Sequence, residues 1–379
     1  MYFCDCMYLR KITLQNFKNI RDAHLEFSPR INCVSGSNGE GKTNLLDAVY
    51  YLSMTKSYFR APEQFSCTMG ESQMVINGEY VKNDGTEAMV AVQLAGEQKT
   101  FKSDHKVCTK LSEHIGRFPI VMISPSDTSL INDSAESRRR FMNMLLSQTD
   151  REYLRAVQSY NKLLQYRNKL LKEENVNAEL VDTISFKMSP FAQYVYEKRA
   201  ELIEDLTVTA KEYYRMMSDG KEEISMIYRS DLQKNNMYDL LTGSLHRDML
   251  LRYTGCGVQR DEIEFMMNGY PIREYGSQGQ QKTFLLALKL AQFDIMRRWY
   301  GSAPILLLDD VFDKLDASRV EFLLKLVSGE DFGQIFITDC NSVRLESIIG
   351  RMDVPSMMIG VTAGVFSVEM VSKKAEDGE

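Results

Sequence analysis

No stretch of this chain reaches the roughly 18 consecutive apolar residues that a membrane span requires, so a membrane-spanning role is not expected. The opening residues, Met1-Tyr2-Phe3-Cys4-Asp5-Cys6-Met7, lack the charged and apolar regions of a secretory leader, and Met7 offers a second start. Cysteine is scarce and scattered. Cys4, Cys6, Cys33, Cys67, Cys108, Cys256 and Cys340 form no CxxC pair, and the four histidines do not cluster near them. That pattern argues against a zinc site and for reduced thiols in the cytoplasm. Internal repeats and low-complexity segments are also missing, and only eight prolines interrupt 379 residues.

Basic charge is in short supply as well: the formal net charge is −6. A polyanion-binding protein need not be basic throughout, however, because local patches set the field that a phosphate backbone meets. Between Arg138 and Lys172 stand nine Lys or Arg residues against only Asp150 and Glu152. With 44% hydrophobic and 26% charged residues, the composition is that of a globular protein long enough for two structural units.

Two short segments, far apart, carry the chemistry. Gly36-Ser37-Asn38-Gly39-Glu40-Gly41-Lys42-Thr43 follows the strand-like run Arg30 to Val34 and precedes a helix-like run from Thr43 to Ser53. This is a phosphate-binding P-loop. Its glycines let backbone N–H groups wrap phosphates, Lys42 reaches the β and γ phosphates, and the Thr43 hydroxyl ligates Mg2+. Downstream, Ile305-Leu306-Leu307-Leu308 reads as a buried strand ending in Asp309-Asp310. A carboxylate there, Asp309, is expected to hold Mg2+, and Asp310 to polarise the attacking water. Aspartate is one methylene shorter than the glutamate common at this position, so slow turnover is expected.

Ser277-Gln278-Gly279-Gln280-Gln281, followed by a helix pattern, resembles the signature segment of ABC-type ATPases. That resemblance implies that Ser277, Gly279 and Gln280 contact the γ-phosphate of a nucleotide held by a second copy. Leu315-Asp316 then stands where a D-loop would pass, and Thr338-Asp339 where such ATPases place a switch residue, without the usual histidine.

The rest of the chain organises around these motifs. Tyr8 to Gln15, Ala23 to Phe27, Met74 to Tyr80, Ala88 to Leu94 and Pro119 to Ile123 read as strands. From about Ala135 to Ser218 the pattern turns helical. Tyr153, Val157, Tyr160, Leu164 and Leu171 form one apolar stripe, broken by Arg167. Val181, Ile184, Met188, Phe191 and Val195 form another, with Pro190 as a candidate kink. The stripes predict core, arranged as an antiparallel hairpin with arms on the order of 30 Å. Ile263 to Met267 with Asn268-Gly269 predicts a strand entering a hairpin turn. The expected division is 1–134 for the N-terminal ATPase part and 135–250 for the helical lobe. The C-terminal ATPase part follows at 251–372, and a disordered tail at 373–379.

Several segments together resemble the RecF family of recombination mediators. They are Tyr8-Leu9-Arg10-Lys11-Ile12, Asn16-Phe17-Lys18-Asn19, the P-loop, Ser124-Pro125-x-Asp127, Arg138-Arg139-Arg140-Phe141, Gln165-Tyr166-Arg167-Asn168 and Gly276 to Gln281. One departure stands out: Gly257-Val258-Gln259-Arg260-Asp261-Glu262 occupies the place of a family segment with histidine at the third position. The resemblance implies an α/β, P-loop ABC-type ATPase head with a mainly helical second lobe containing a short antiparallel helical hairpin. It further implies a weak, DNA-stimulated ATPase with ATP and Mg2+ as cofactors and an ATP-dependent homodimer. Expected partners are single-stranded and gapped or junction DNA, and RecR-like and RecO-like mediators that help load RecA. The setting would be gap repair, replication restart and the SOS response. Lys56, Arg60, Arg138, Arg139 and Arg140 are the candidate DNA contacts, phosphate-dominated because no base-reading motif is present. Two other readings share the same motifs: an ATP-binding subunit of a transporter, and an ATP-binding scaffold with negligible hydrolysis. The long segment between P-loop and signature argues against the transporter.

Overall fold

The computed structural model of the chain describes residues 7–59, 62–218, 220–312, 317–351 and 354–372. The expected D-loop pair Leu315-Asp316, the candidate contact Arg60, the N-terminal extension 1–6 and the acidic tail 373–379 lie outside the described residues. The chain divides into two compact units: residues 1–126 with 292–379, and residues 127–291.

The first unit holds two six-stranded sheets. One is antiparallel, in the order Ile20–Glu26, Tyr8–Phe17, Gln73–Val81, Glu87–Ala95, Gln98–Ser103, Lys106–Val107. Its strands alternate buried and exposed side chains, as a sheet covered on one face must. The other runs Val365–Ser372, Ser356–Thr362, Ile31–Ser35, Ile335–Asp339, Ile305–Leu308, Ile120–Ile123. All its neighbours pair in parallel except the first two. The strands Ile31–Ser35, Ile335–Asp339 and Ile305–Leu308 are buried at every position, which explains the unbroken apolar run of the last. The helix Lys42–Met54 packs against strands of both sheets, and eleven of its residues are buried. It comes so close that a Cβ on Gly78 would lie 2.5 Å from Leu52 Cδ1.

The second unit is mainly helical, with a three-stranded antiparallel sheet in the order Tyr270–Pro271, Glu262–Met267, Ile224–Arg229. Asn268 and Gly269 form the turn between two of these strands, both at positive φ (50° and 81°), as a two-residue hairpin requires. Helices Arg151–Leu170 and Ala178–Ser218 make the expected hairpin, with Tyr153, Val157, Tyr160, Val181, Ile184, Met188 and Val195 buried. Asp150 caps the first, accepting the Glu152 and Tyr153 N–H groups at 2.8 and 2.9 Å.

One arm differs from expectation. The second helix runs unbroken for 41 residues, about 60 Å rather than 30 Å, with Pro190 accommodated inside it. The same helix also packs on the strand Ile224–Arg229, with Tyr196 stacked on Tyr228 at 5.9 Å, so the helix gains a second partner. Arg167, which interrupts the first stripe, is fully buried. It donates to Asp248 and Thr254, both at 2.7 Å, and to Ser185 at 3.0 Å. The described cysteines, Cys33, Cys67, Cys108, Cys256 and Cys340, are all free.

Candidate nucleotide-binding site

The parallel sheet brings the C-terminal ends of three strands side by side. Ile335–Asp339 lies between Ile31–Ser35, which feeds the P-loop, and Ile305–Leu308, which ends at Asp309. Gly41 stands at the N-cap of the helix Lys42–Met54 and has no side chain with which to cap it. The first-turn N–H groups are therefore left for an anion at the positive end of the helix dipole. Gly39 and Gly41 both take positive φ (86° and 124°), where a larger residue would be strained. Asn19 braces this loop: its Nδ2 donates to Gly39 O at 3.0 Å, and its Oδ1 accepts from Asn44 Nδ2 at 2.7 Å. Ser37, Asn38 and Gly39 are exposed, whereas Lys42 is buried and donates from Nζ to Gly36 O (2.7 Å) and Ser37 O (3.1 Å).

Across from the loop, Thr43 Oγ1 donates to Asp309 Oδ1 at 2.8 Å, joining residues 266 apart in sequence. Asp309 also accepts from Thr338 Oγ1 at 3.0 Å and Ser124 Oγ at 3.4 Å. Burial pushes its carboxyl above the ordinary aspartate value. The three hydroxyls and the charge of Lys42 oppose that shift. Asp310 follows at positive φ (45°), its N–H held by Thr338 Oγ1 at 2.9 Å. Thr43 and Asp309 supply the hard oxygens that suit Mg2+. That ion is held by one or two carboxylates plus phosphates rather than by an all-protein cage. No cluster of three His, Cys, Asp or Glu that could hold a metal by itself occurs among the described residues.

The signature segment belongs to the second unit. Ser277 and Gln280 form a reciprocal cap on the helix Gln278–Tyr300. Gln280 N donates to Ser277 Oγ at 3.3 Å, and Ser277 N to Gln280 Oε1 at 2.8 Å. The spacing Ser-x-x-Gln carried that signal. Ser277 and Gly279 are exposed, and a Cβ on Gly279 would meet nothing within 4 Å.

Thr338, at the expected switch position, touches Asp309. Ser124 touches it too, and Asn19 supports the loop; local sequence assigns neither of these two roles. Glu40 makes a further link: Gly364 N donates to its carbonyl at 2.9 Å and Ala363 N to its carboxylate. The strands flanking that turn, Ser356–Thr362 and Val365–Ser372, were also not anticipated.

The candidate DNA contacts divide sharply. Arg138 must be withdrawn: it is buried, grips Glu262 with Nε and Nη2 (2.5 and 2.8 Å), and donates Nη1 to Leu130 O and Asp133 O. Four of the five N–H donors of Arg138 are thus committed inside the protein. Arg139 is half-buried and donates to Asp261 O at 2.9 Å, and Arg140 is half-buried. Lys56 is exposed. The segment after it is tied to the P-loop helix, since Asp47 accepts from Ser57 Oγ and Tyr58 N, both at 2.7 Å, and pairs with Lys18 at 2.6 Å. At the departure noted in the sequence, Gln259 Nε2 donates to Cys256 O at 2.7 Å and its Oε1 accepts from Tyr160.

The RecF/RecN/SMC N terminal domain family matches residues 8–363. The chain belongs to the RecF family of DNA replication and repair proteins. It is 44% identical to DNA replication and repair protein RecF of Parabacteroides distasonis over 347 residues, covering 92% of this chain and 95% of the relative. It is 41% identical to the Bacteroides fragilis protein of the same name, covering 97% of this chain and all of the relative. A solved structure described as the recombination mediator protein RecF-ATP in the RecFOR pathway superposes with a TM-score of 0.87. That RecF protein is 28% identical, and the match covers 98% of this chain and 99% of the other. The Smc head domain of Pyrococcus furiosus, with an extended coiled coil, shares the fold at a TM-score of 0.57 and 15% identity, covering 96% of each chain. RecF family membership sets aside the transporter-subunit reading, and no described helix is long and apolar enough to cross a membrane.

Proposed function

We propose that this protein is an ATP-switched clamp of recombinational gap repair. It binds ATP with Gly36 to Thr43, Asp309 and Asp310, and a second copy completes the site with Ser277, Gly279 and Gln280. The observation that carries this reading is the 2.8 Å contact between Thr43 and Asp309, which joins the P-loop to the end of the strand Ile305–Leu308. The exposed, pre-capped signature helix start is the matching half. ATP-dependent dimerisation on single-stranded, gapped or junction DNA, slow DNA-stimulated hydrolysis and cooperation with RecR-like and RecO-like mediators in the cytoplasm complete the proposal.

The chain's own groups have distinct tasks. Lys42 exchanges the Gly36 and Ser37 carbonyls for the β and γ phosphates, keeping its charge satisfied in both states. Thr43 and Asp309 would hold Mg2+, which when bound neutralises the phosphate oxygens. Asp310 orients the attacking water and takes its proton, with its backbone fixed by Thr338. In the dimer, Ser277 and the first-turn amides of its helix stabilise charge on the γ-phosphate.

The test is turnover. Lys42→Arg is expected to abolish measurable hydrolysis while DNA stimulates the unaltered protein. Hydrolysis that persists in Lys42→Arg, or that is indifferent to gapped DNA, contradicts the proposal.

A further inference from the structure

The segment from Gly243 to Asp261 sorts its charges in an unusual way. Its only acids, Asp248 and Asp261, both point inward and are buried. Asp248 pairs with Arg167 at 2.7 Å and Asp261 with Arg199 at 2.6 Å. Each of these arginines comes from one arm of the helical hairpin. The segment's own cations face out. Arg247, Arg252 and Arg260 are exposed, and none of the three pairs with a carboxylate among the described residues. A protein of net charge −6 thus exposes three arginines, without ion-pair partners among the described residues, on one short segment.

Apolar surface lies among those charges. Tyr253 is 41% exposed and Leu250 73% exposed. The Arg260 guanidinium sits 5.6 Å from the Tyr253 ring centroid, covering one face of the ring. The platform is held rigid from below. Thr254 N and Oγ1 both donate to Asn168 Oδ1 at 2.8 Å, Gly255 N to Asp248 at 2.9 Å, and Gly257 N to Asp231 at 2.9 Å. Gly257 takes φ 112°, and a Cβ there would lie 2.3 Å from Met237 Cε. Buried polar networks of this kind lock a loop in one conformation. Solvation alone accounts for the arginines but not for the aromatic and leucine surface between them.

We propose that Arg252, Tyr253 and Arg260 form a docking platform for single-stranded nucleic acid. The arginines take backbone phosphates and Tyr253 stacks an unpaired base, the pairing of groups that single strands require. This rests on the reading that the protein binds DNA, but places the contact outside the residues assigned above. Because stacking needs an unpaired base, the platform distinguishes a gap from intact duplex.

The experiment is a salt titration of labelled oligo(dT) and of blunt duplex, using the full chain and the variants Arg252→Gln, Arg260→Gln and Tyr253→Ala. Each arginine variant is expected to reduce the steepness of log K against log salt for oligo(dT) by roughly 0.7. Tyr253→Ala is expected to weaken oligo(dT) about 5- to 100-fold with the slope and the duplex affinity unchanged. Arg252→Lys is expected to restore the slope, which a purely structural role would not do. Variants that bind oligo(dT) as the parent does overturn the platform while leaving the DNA-binding reading intact. A parent that binds no oligonucleotide overturns both. Arginine-dependent binding of poly-glutamate with none of oligo(dT) overturns the platform in favour of an acidic protein partner.

Discussion

Thr338 Oγ1 lies 3.0 Å from Asp309 Oδ1, and the same oxygen accepts the N–H of Asp310 at 2.9 Å. One hydroxyl therefore ties the Asp309 carboxylate to the backbone of Asp310, the two acids proposed to act on the nucleotide. Thr338→Val preserves shape and removes only this link, leaving a buried carboxylate oxygen one donor short. A loss of this kind costs about 1–3 kcal/mol. Steady-state turnover is expected to fall about tenfold or more, with equilibrium ATP binding changed little. Equal losses in binding and turnover would place Thr338 in nucleotide recognition instead.

Glu40 ties the P-loop to the turn at Ala363 and Gly364. Glu40→Gln keeps an acceptor for the Ala363 N–H, and Glu40→Ala does not. A hydrogen bond to an ionised carboxylate contributes about 1.5–3 kcal/mol, so ATP affinity is expected to drop roughly tenfold or more in the alanine variant and less in the glutamine one. Isothermal titration with ATP separates the two.

Arg167 and Asp248 form an ion pair that water does not reach on either side. Arg167→Ala strands the Asp248 charge, and loss of about 3–5 kcal/mol is expected. A combined Arg167→Met, Asp248→Leu variant removes both charges and should recover much of that loss in urea unfolding. If the single variant is as stable as the parent, the pair does not hold the helical unit together.

His114 is buried between Phe101 and Phe118, with Nε2 against Leu52 O at 2.8 Å. Burial lowers its pKa from 6.5 to about 4. Between these values the unfolded chain binds the extra proton and the folded one does not, so stability rises with pH across that window. The contribution is fully present above about 6.5, is lost as pH falls toward 4, and amounts to ~3 kcal/mol. His114→Gln should flatten this part of the melting temperature against pH curve. An unchanged curve would show that other groups set the acid limb.

Local pattern made much of this molecule legible. The P-loop spacing, the unbroken apolar run before Asp309, the stripes of the hairpin and the Asn268-Gly269 turn all follow from adjacent residues. What stayed hidden depends on partners distant in sequence. Arg167 reads as a flaw in an apolar stripe until Asp248 and Thr254 are seen beside it. Arg138 reads as a surface charge until Glu262 accounts for it. The strand Val365–Ser372 escaped notice because it is an edge strand, with Val365, Val368 and Met370 exposed, so it lacks a buried alternation. The transition near Ala135 was visible in sequence. The grouping of Ser277 with the helical residues 127–291 was not, since it arises from packing alone.

In the proposed clamp the ATP site is completed by a second copy through Ser277. Sedimentation of the parent and of Ser277→Arg, with ATP, with ADP and with gapped DNA, tests it most directly. The parent is expected to form ATP-dependent dimers, and Ser277→Arg to stay monomeric while still binding ATP. Dimers of Ser277→Arg equal to the parent's, or dimers of the parent that ignore ATP, would contradict it.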